Sequence, residues 1–221
     1  MIFLLLLLTL GSGLTDVCFL RLRQRQRHGA ALVLKGLAAL QFCLIGLLLH
    51  DRAQAGWAVA AGLFCGLTGD ILLGLRKLMP HRHDLTFVAG ALVFCLGHGF
   101  YIYYLTRIPG LWLPALPIFL VLLILSEAFA RYGGFHRGKM HLPGMFYIAA
   151  EALMAALSLV LVMKAFSAGS LLFALGGVSF LVSDNLLCAY SFGRLKSPSI
   201  DWALHGTYLA AQLLIGWSLY F

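Results

Sequence analysis

Apolar segments of about 20 residues follow one another along the chain, and this pattern limits the possible folds more than any other feature. A helix rises about 1.5 Å per residue, so about 20 apolar residues cross the hydrocarbon core of a membrane. Of the 221 residues 62% are hydrophobic and 11% are charged, whereas about a quarter of a soluble domain is charged. We therefore predict an all-α membrane protein with about eight transmembrane helices. The predicted helices cover residues 1–20, 30–50, 56–75, 87–106, 111–131, 143–163, 169–190 and 200–220.

Few residues lie between these segments, so we predict a single transmembrane domain that covers residues 1–221. The first segment lacks the basic start and the small-residue cleavage site of a secretory signal, so we expect it to remain as a helix. The five cysteines lie in apolar segments without a C-x-x-C pair. We expect them to be buried thiols rather than metal ligands or disulfides, and we expect no cofactor.

Basic residues are distributed unevenly between the loops. Three Lys or Arg follow helices 2, 4 and 6, and twelve follow helices 1, 3, 5 and 7. The positive-inside rule places the more basic loops in the cytoplasm and both termini outside, as in the inner membrane of a bacterium. The same asymmetry explains the net charge of +8 without a nucleic-acid partner, so membrane lipids are the expected partners. The twelve are Arg21, Arg23, Arg25, Arg27, Arg76, Lys77, Arg82, Arg131, Arg137, Lys139, Arg194 and Lys196.

One polar pattern occurs once in each half of the chain. G-D-I-L-L at residues 69–73 is followed in the next helix by H-G-F-Y at residues 98–101. S-D-N-L-L at residues 183–187 is followed in the same way by H-G-T-Y at residues 205–208. Four helices separate the two copies, so both copies have the same orientation. This favours two parallel four-helix repeats with a site between them.

Acidic residues inside the predicted helices are the strongest functional candidates. An ionisable group at the centre of a bilayer costs roughly 2.5–3.5 kcal/mol, so such groups are expected to line a polar cavity. The predicted topology places all the acidic residues inside the helices in the cytoplasmic half of the membrane. This favours a pocket open to that side over a proton path across the membrane. We expect Asp16, Asp51 and Asp84 at helix ends or in loops. The residues inside the helices are Asp70, Glu127, Glu151, Asp184 and Asp201.

Some of these side chains have a local explanation. Asp201 can be the N-cap of helix 8, and Glu127 can pair with Arg131 one turn later. Asp70, Asp184 and Glu151 have no such explanation, which makes them the leading candidates.

Helical spacing groups further residues with these acids. Gly62, Gly66, Asp70 and Gly74 are spaced by four and share one helix face, which permits close helix packing. Polar side chains that share a face also occur in helix 4 (His98 and Tyr101), in helix 6 (Tyr147 and Glu151) and in helix 8 (Asp201, His205, Tyr208 and Gln212). Each histidine has an alternative role as a structural hydrogen-bonding group between helices.

The motifs of several membrane hydrolases are incomplete here. Ser179 lacks the second glycine of a G-x-S-x-G sequence, and no H-E-x-x-H zinc motif occurs. Asp70 lacks the first glycine of the G-x-G-D sequence of aspartyl intramembrane proteases. Two intramembrane aspartates remain suitable for acid/base hydrolysis.

Three strings resemble the YhhN family of small polytopic membrane proteins, which includes lysoplasmalogenases. They are G-D-x-L-L at residues 69–73, F-x-x-G-x-x-x-F-x-x-G-H-x-x-Y at residues 87–101, and S-D-x-L-L at residues 183–187. The resemblance extends over nearly the whole chain. It implies hydrolysis of the vinyl ether bond of a lysoplasmalogen, a lysophospholipid, to a fatty aldehyde and a glycerophospho-headgroup. Such hydrolysis needs a carboxylic acid that keeps its proton near neutral pH, which burial and a second carboxylate both favour.

This resemblance suggests roles for the candidate residues. Asp70 and Asp184 would form an acid/base pair across the repeat axis. The supporting residues would relay protons, polarise groups or line the pocket: Glu151, His98, His205, Tyr147, Tyr101, Tyr208, Asn185 and Asp201. The basic residues Arg76, Lys77, Arg194 and Lys196 would hold the lipid phosphate, unless they serve only to set topology.

A proton-coupled transporter of a small solute or lipid is the alternative function. The absence of acids from the predicted external half argues against it.

Overall fold

The computed structural model describes residues 1–134 and 141–221, and all the regular structure in these ranges is helical. The all-α prediction is therefore confirmed for the described residues, and most helix ends lie within a few residues of their predicted positions. Arg137 and Lys139 of the predicted topology signal lie outside the described residues. The helices are α1 (Ile2–Gln24), α2 (His28–Leu49), α3 (Gly56–Leu75), α4 (His83–Thr106), α5 (Trp112–Tyr132), α6 (His141–Lys164), α7 (Ala168–Phe192) and α8 (Pro198–Ser218).

Within the described part of the chain, seven helices are long and apolar enough to cross a membrane. They are α1 to α7, and they make the chain an integral membrane protein. Helix α8 has a similar length of 21 residues but is not among the seven. Asp201, His205 and Gln212 interrupt its apolar sequence, so its place as an eighth transmembrane helix stays a prediction.

Serine side chains begin the last two helices. Ser167 and Ser170 form a capping box at the start of α7, with the Ser170 N–H 3.0 Å from the Ser167 hydroxyl. Ser197 caps α8 by accepting a hydrogen bond from the N–H of Ile200, and Pro198 follows as the first helical residue. The interpretation of Asp201 as this N-cap is therefore wrong, and Asp201 is a buried residue of the first turn.

The described helices form two compact units. The first consists of Met1–Tyr101 with Tyr220, and it contains one copy of the repeated pattern. Side chain to backbone hydrogen bonds join successive helices here, since the Ser12 hydroxyl donates to the Ala38 carbonyl and the Cys43 thiol donates to the Leu63 carbonyl. Aromatic side chains of α4 pack against glycines of α3: Tyr101 packs on Gly62, and Phe94 packs on Gly69.

The Gly62 site predicts a measurable effect on stability. An alanine at this position would place its Cβ inside the van der Waals radius of the Tyr101 ring, and overpacking of this kind costs about 1–3 kcal/mol. We expect Gly62→Ala to lower the thermal unfolding temperature of the purified protein in detergent. Gly99→Ala is the control, because a Cβ at Gly99 meets nothing within 4 Å. Equal unfolding temperatures for the two variants would contradict the packing described.

The second unit consists of Ile102–Leu219 with Phe221, and it contains the other copy of the pattern. Helix α7 lies at its centre and packs against α5, α6 and α8. Gly177 of α7 faces the Ser158 hydroxyl of α6, and Gly176 faces Ile215 of α8. These close approaches hold α6 and α8 beside the α7 segment that carries the second aspartate.

Candidate functional site

Asp184 lies inside the second unit and is only 5% exposed. The preceding residue, Ser183, donates a hydrogen bond of 2.9 Å to the Leu204 carbonyl of α8. This bond fixes the rotation of α7, so that the next side chain is held among its neighbours. The hydroxyl of Tyr147 in α6 donates a hydrogen bond to Oδ2 of Asp184.

A second carboxyl group lies at the same place. Glu151 is one helical turn after Tyr147 and is fully buried, and its carboxyl group interacts with that of Asp184. Two carboxylates in contact in an apolar interior repel each other strongly, and one shared proton removes this repulsion. The arrangement can therefore hold a proton donor and an acceptor side by side. The sequence placed Tyr147 and Glu151 on one helix face but did not show that this face meets Asp184.

The predicted polar stripe on α8 is present. Nε2 of His205 lies 3.8 Å from Oδ1 of Asp201, one turn earlier. Gln212 donates a 3.2 Å hydrogen bond to the hydroxyl of Tyr208, whose ring meets that of Phe180 edge to face. These contacts run along α8 and between α8 and α7, so the stripe belongs to the second unit.

Asn185 follows Asp184 and connects α7 to α5. Its amide donates to the Ser126 hydroxyl at 3.2 Å and to the Leu181 carbonyl at 2.8 Å. Asn185 also lines a small, mostly apolar cavity of about 20 Å³ between α5, α6 and α7. The other lining residues are Phe129, Ala130, Gly144, Ile148, Cys188 and Ala189. The Asn185 amide is therefore a polar group at one edge of the cavity, and Asn185 is next in sequence to Asp184 of the carboxyl pair.

The first unit holds a buried ion cluster around Asp70. Nζ of Lys35 in α2 lies 3.7 Å from Oδ1 of Asp70 and 3.6 Å from Oδ1 of Asp16 in α1. The expectation that Asp16 lies at a helix end or in a loop is wrong, because it is buried within α1. Sequence analysis missed Lys35, although a lysine inside the apolar segment 30–50 is as unusual as the acids that were noticed.

His98 and Tyr101 are both buried in α4 of the first unit. The His98 ring meets the ring of Tyr101, in the same helix, at a steep angle with centroids 6.5 Å apart. This contact lies within α4, so the alternative role of His98 as a hydrogen-bonding group between helices stays a prediction.

Glu127 forms the predicted pair with Arg131, one turn later in α5. Nε of Arg131 lies 3.2 Å from the Glu127 carboxylate, and both side chains are exposed. Such a pair contributes little stability.

The four proposed phosphate ligands lie at the ends of α3 and α7. The Arg76 guanidinium lies 4.9 Å from the centroid of the Phe87 ring. Lys77, Arg194 and Lys196 are exposed. These side chains are accessible to a lipid headgroup at a membrane surface.

The family comparison supplies an independent observation. The YhhN family matches residues 30–219, which contain both aspartates, both histidines and Lys35. No curated protein and no solved structure matches the chain at a significant level.

Proposed function

The chain belongs to the YhhN family, and from this premise we propose that it is a membrane-embedded hydrolase of lysoplasmalogen. The reaction would cleave the vinyl ether bond with water, yielding a fatty aldehyde and a glycerophospho-headgroup. The observation that supports this best is the buried group of Asp184, Glu151 and Tyr147, in which two carboxyl groups interact beside a phenol.

The carboxyl pair can supply the acid that the first step of vinyl ether hydrolysis needs. A carboxylic acid transfers its proton to the alkenyl carbon distant from the ether oxygen, and the electrons of the double bond form the new C–H bond. The carbon attached to oxygen becomes an oxocarbenium ion. We assign the proton donation to the Asp184–Glu151 pair, with Tyr147 holding the Asp184 carboxyl group in position.

Water completes the reaction. A water molecule attacks the oxocarbenium carbon and loses a proton to a carboxylate, giving a hemiacetal. The hemiacetal then breaks its bond to the glycerol oxygen, which takes up a proton as the aldehyde forms. Asp70, the aspartate of the other copy of the repeated pattern, is also proposed to take part in the acid/base chemistry.

The lipid is proposed to enter from the cytoplasmic side of a bacterial inner membrane. The candidate phosphate ligands are the predicted basic residues, Arg76 and Lys77 in the first unit and Arg194 and Lys196 in the second. The proposed contact surface for the alkenyl chain is formed by the apolar side chains around the small cavity beside Asn185, whose amide is a polar group at one edge. No cofactor enters this scheme.

A substrate panel tests the proposal. Purified protein in detergent is incubated with three lysophospholipids of equal chain length that carry a vinyl ether, an alkyl ether or an ester at the same position. We expect aldehyde from the vinyl ether alone, because only its double bond can accept the proton at carbon. Turnover in detergent also separates hydrolysis from transport, which needs two compartments. No aldehyde from the vinyl ether, with folded protein, would contradict the proposed function.

A further inference from the structure

Asn185 lies in the wall of the small cavity of the second unit, and the orientation of its amide is fixed. Its side-chain nitrogen donates hydrogen bonds to the Leu181 carbonyl at 2.8 Å and to the Ser126 hydroxyl at 3.2 Å. A backbone carbonyl can only accept a hydrogen bond, so the nitrogen and not the oxygen must face Leu181. Both amide hydrogens are used within the protein. Towards a guest in the cavity, Asn185 can therefore act only as an acceptor, through Oδ1.

The size of the cavity limits what this guest can be. Its volume is about 20 Å³, and a cavity needs about 10–15 Å³ to hold one water molecule. An acceptor in the wall selects a guest that donates a hydrogen bond, which a water molecule does and the ether oxygen of a lipid does not. A hydroxyl group of the lipid is also a donor, but the carbon that carries it needs more room than one water molecule.

We propose that Asn185 binds the water molecule that attacks the oxocarbenium carbon, and that Ser126 is a positioning residue that holds the Asn185 amide. This inference rests on the proposed hydrolysis of a vinyl ether. It assigns the second reactant, water, to a site of its own beside the acid.

The cavity adjoins the carboxyl pair within the second unit. Ile148 in its wall lies in α6 between Tyr147 and Glu151. Cys188, also in the wall, interacts with Tyr147, whose hydroxyl donates to Asp184. The Cys188 thiol is also a second polar group for the water molecule, because a thiol can donate a weak hydrogen bond. A water molecule in this cavity is therefore beside the groups that are proposed to protonate the alkenyl carbon.

The apolar part of the wall suits the position of the reacting carbon. The oxocarbenium carbon is the first carbon of the alkenyl chain, so contact between the chain and the apolar side chains around the cavity brings this carbon close to the water. Phe129 and Ile148 are the largest apolar residues of the wall. An ordered water molecule next to the carbon replaces a chance encounter with solvent, which is how positioning favours a reaction step.

The attack is balanced by the carboxyl pair. The water oxygen gives a lone pair to the oxocarbenium carbon, and a C–O bond forms. One hydrogen of the water remains hydrogen-bonded to Oδ1 of Asn185. The other leaves as a proton to the carboxylate that gave up its proton in the first step, so the Asp184–Glu151 pair returns to its starting state.

Competition between water and methanol tests this role. In water that contains a small fraction of methanol, attack by water yields the aldehyde and attack by methanol yields a methyl acetal. The acid-catalysed reaction of the same lipid without protein gives the reference ratio of acetal to aldehyde. Because methanol carries a methyl group for which the cavity has little room, we expect the wild-type ratio to lie about 10-fold below the reference.

Two variants should lose this preference for water. Asn185→Leu keeps the size of the side chain but lacks the acceptor, so its ratio should rise about 10-fold, to the reference value. Ser126→Ala keeps Asn185 and removes one anchor of its amide, and it should shift the ratio in the same direction. It tests the idea even if Asn185→Leu does not fold. Thr106→Val is the control, since its hydroxyl donates to Tyr103 of its own helix and Thr106 does not line this cavity.

An experimental structure that shows ordered water gives a readout without activity. In the wild type we expect a water oxygen about 2.5–3.0 Å from Oδ1 of Asn185. The same water should be missing in Asn185→Leu. A wild-type structure without water at this place would overturn the inference.

The two proposals fail in different ways. If the wild type releases no aldehyde, the proposed function is wrong, and the structure still decides whether Asn185 binds water. If aldehyde is released but the wild-type ratio equals the reference, or both variants keep the wild-type ratio, only the role of Asn185 is wrong. A purely structural role for Asn185 would lower the unfolding temperature of Asn185→Leu and leave the ratio unchanged.

Discussion

Asp184→Asn is expected to reduce the kcat of aldehyde release by about 100-fold to 10,000-fold, the range that loss of a general acid produces. Asparagine has nearly the same shape as aspartate and keeps an oxygen that can accept the hydrogen bond from Tyr147. It has no carboxyl proton to transfer to carbon. The unfolding temperature should therefore change little while the chemical step is lost.

Glu127→Gln is the matched control for this variant. It also replaces a carboxylate by an amide in a helix of the second unit, but the Glu127 side chain is 37% exposed and forms an ion pair with Arg131. We expect its kcat to stay within about twofold of the wild type, since exposed pairs contribute about 1 kcal/mol or less. Equal kcat values for Asp184→Asn and the wild type would show that Asp184 is not the acid.

Asp70→Asn is expected to reduce kcat by about 100-fold, because Asp70 is the first aspartate of the repeated pattern and is proposed to take part in the acid/base chemistry. The variant leaves Lys35 with Asp16 as a balanced pair, so the fold should tolerate the change. Chain folding is checked by the unfolding temperature in detergent, and kcat by aldehyde release at saturating substrate.

Two further variants make this result specific. Asp16→Asn leaves the same number of buried charges as Asp70→Asn, and it should reduce kcat much less at the optimal pH. Asp51→Asn changes a side chain that is 90% exposed and should leave kcat unchanged. Equal losses in Asp16→Asn and Asp70→Asn would indicate that charge balance alone matters and that Asp70 has no separate task.

The helices could be predicted almost completely from the sequence. Each apolar segment has the length of one membrane crossing, and this requirement leaves little freedom in where a helix begins and ends. The start of α8 was misassigned because its sequence offers three residues that could cap it, Ser197, Ser199 and Asp201. Pro198 indicates the correct cap. Proline favours the first helical position, so the residue before it, Ser197, is the N-cap.

The candidate site could be predicted only in part. The insertion cost of an acid identifies Asp70, Glu151 and Asp184 without a structure. The partners of these acids lie far away in sequence, as Tyr147 and Asp184 do at a separation of 37 positions. Periodicity shows which residues share a helix face, but it does not show which face meets which neighbour, so these contacts needed coordinates.

The repeated pattern does not reveal a difference between the two halves of the chain. The strings around Asp70 and Asp184 are alike, yet the helix before each one contributes a different partner. Helix α2 supplies an ammonium group from Lys35, and α6 supplies a phenol and a carboxyl group from Tyr147 and Glu151. The residues outside the pattern therefore decide what each aspartate can do.

Hydrolysis of the vinyl ether lysophospholipid in deuterium oxide tests the central claim most directly. If a carboxyl group of the protein protonates the alkenyl carbon, the aldehyde released by the wild type must carry one deuterium on the carbon next to its carbonyl group. Mass spectrometry of the aldehyde, trapped at once to prevent exchange, measures this label. We predict one deuterium in each product molecule. An unlabelled aldehyde, or no aldehyde from folded protein, would contradict the account.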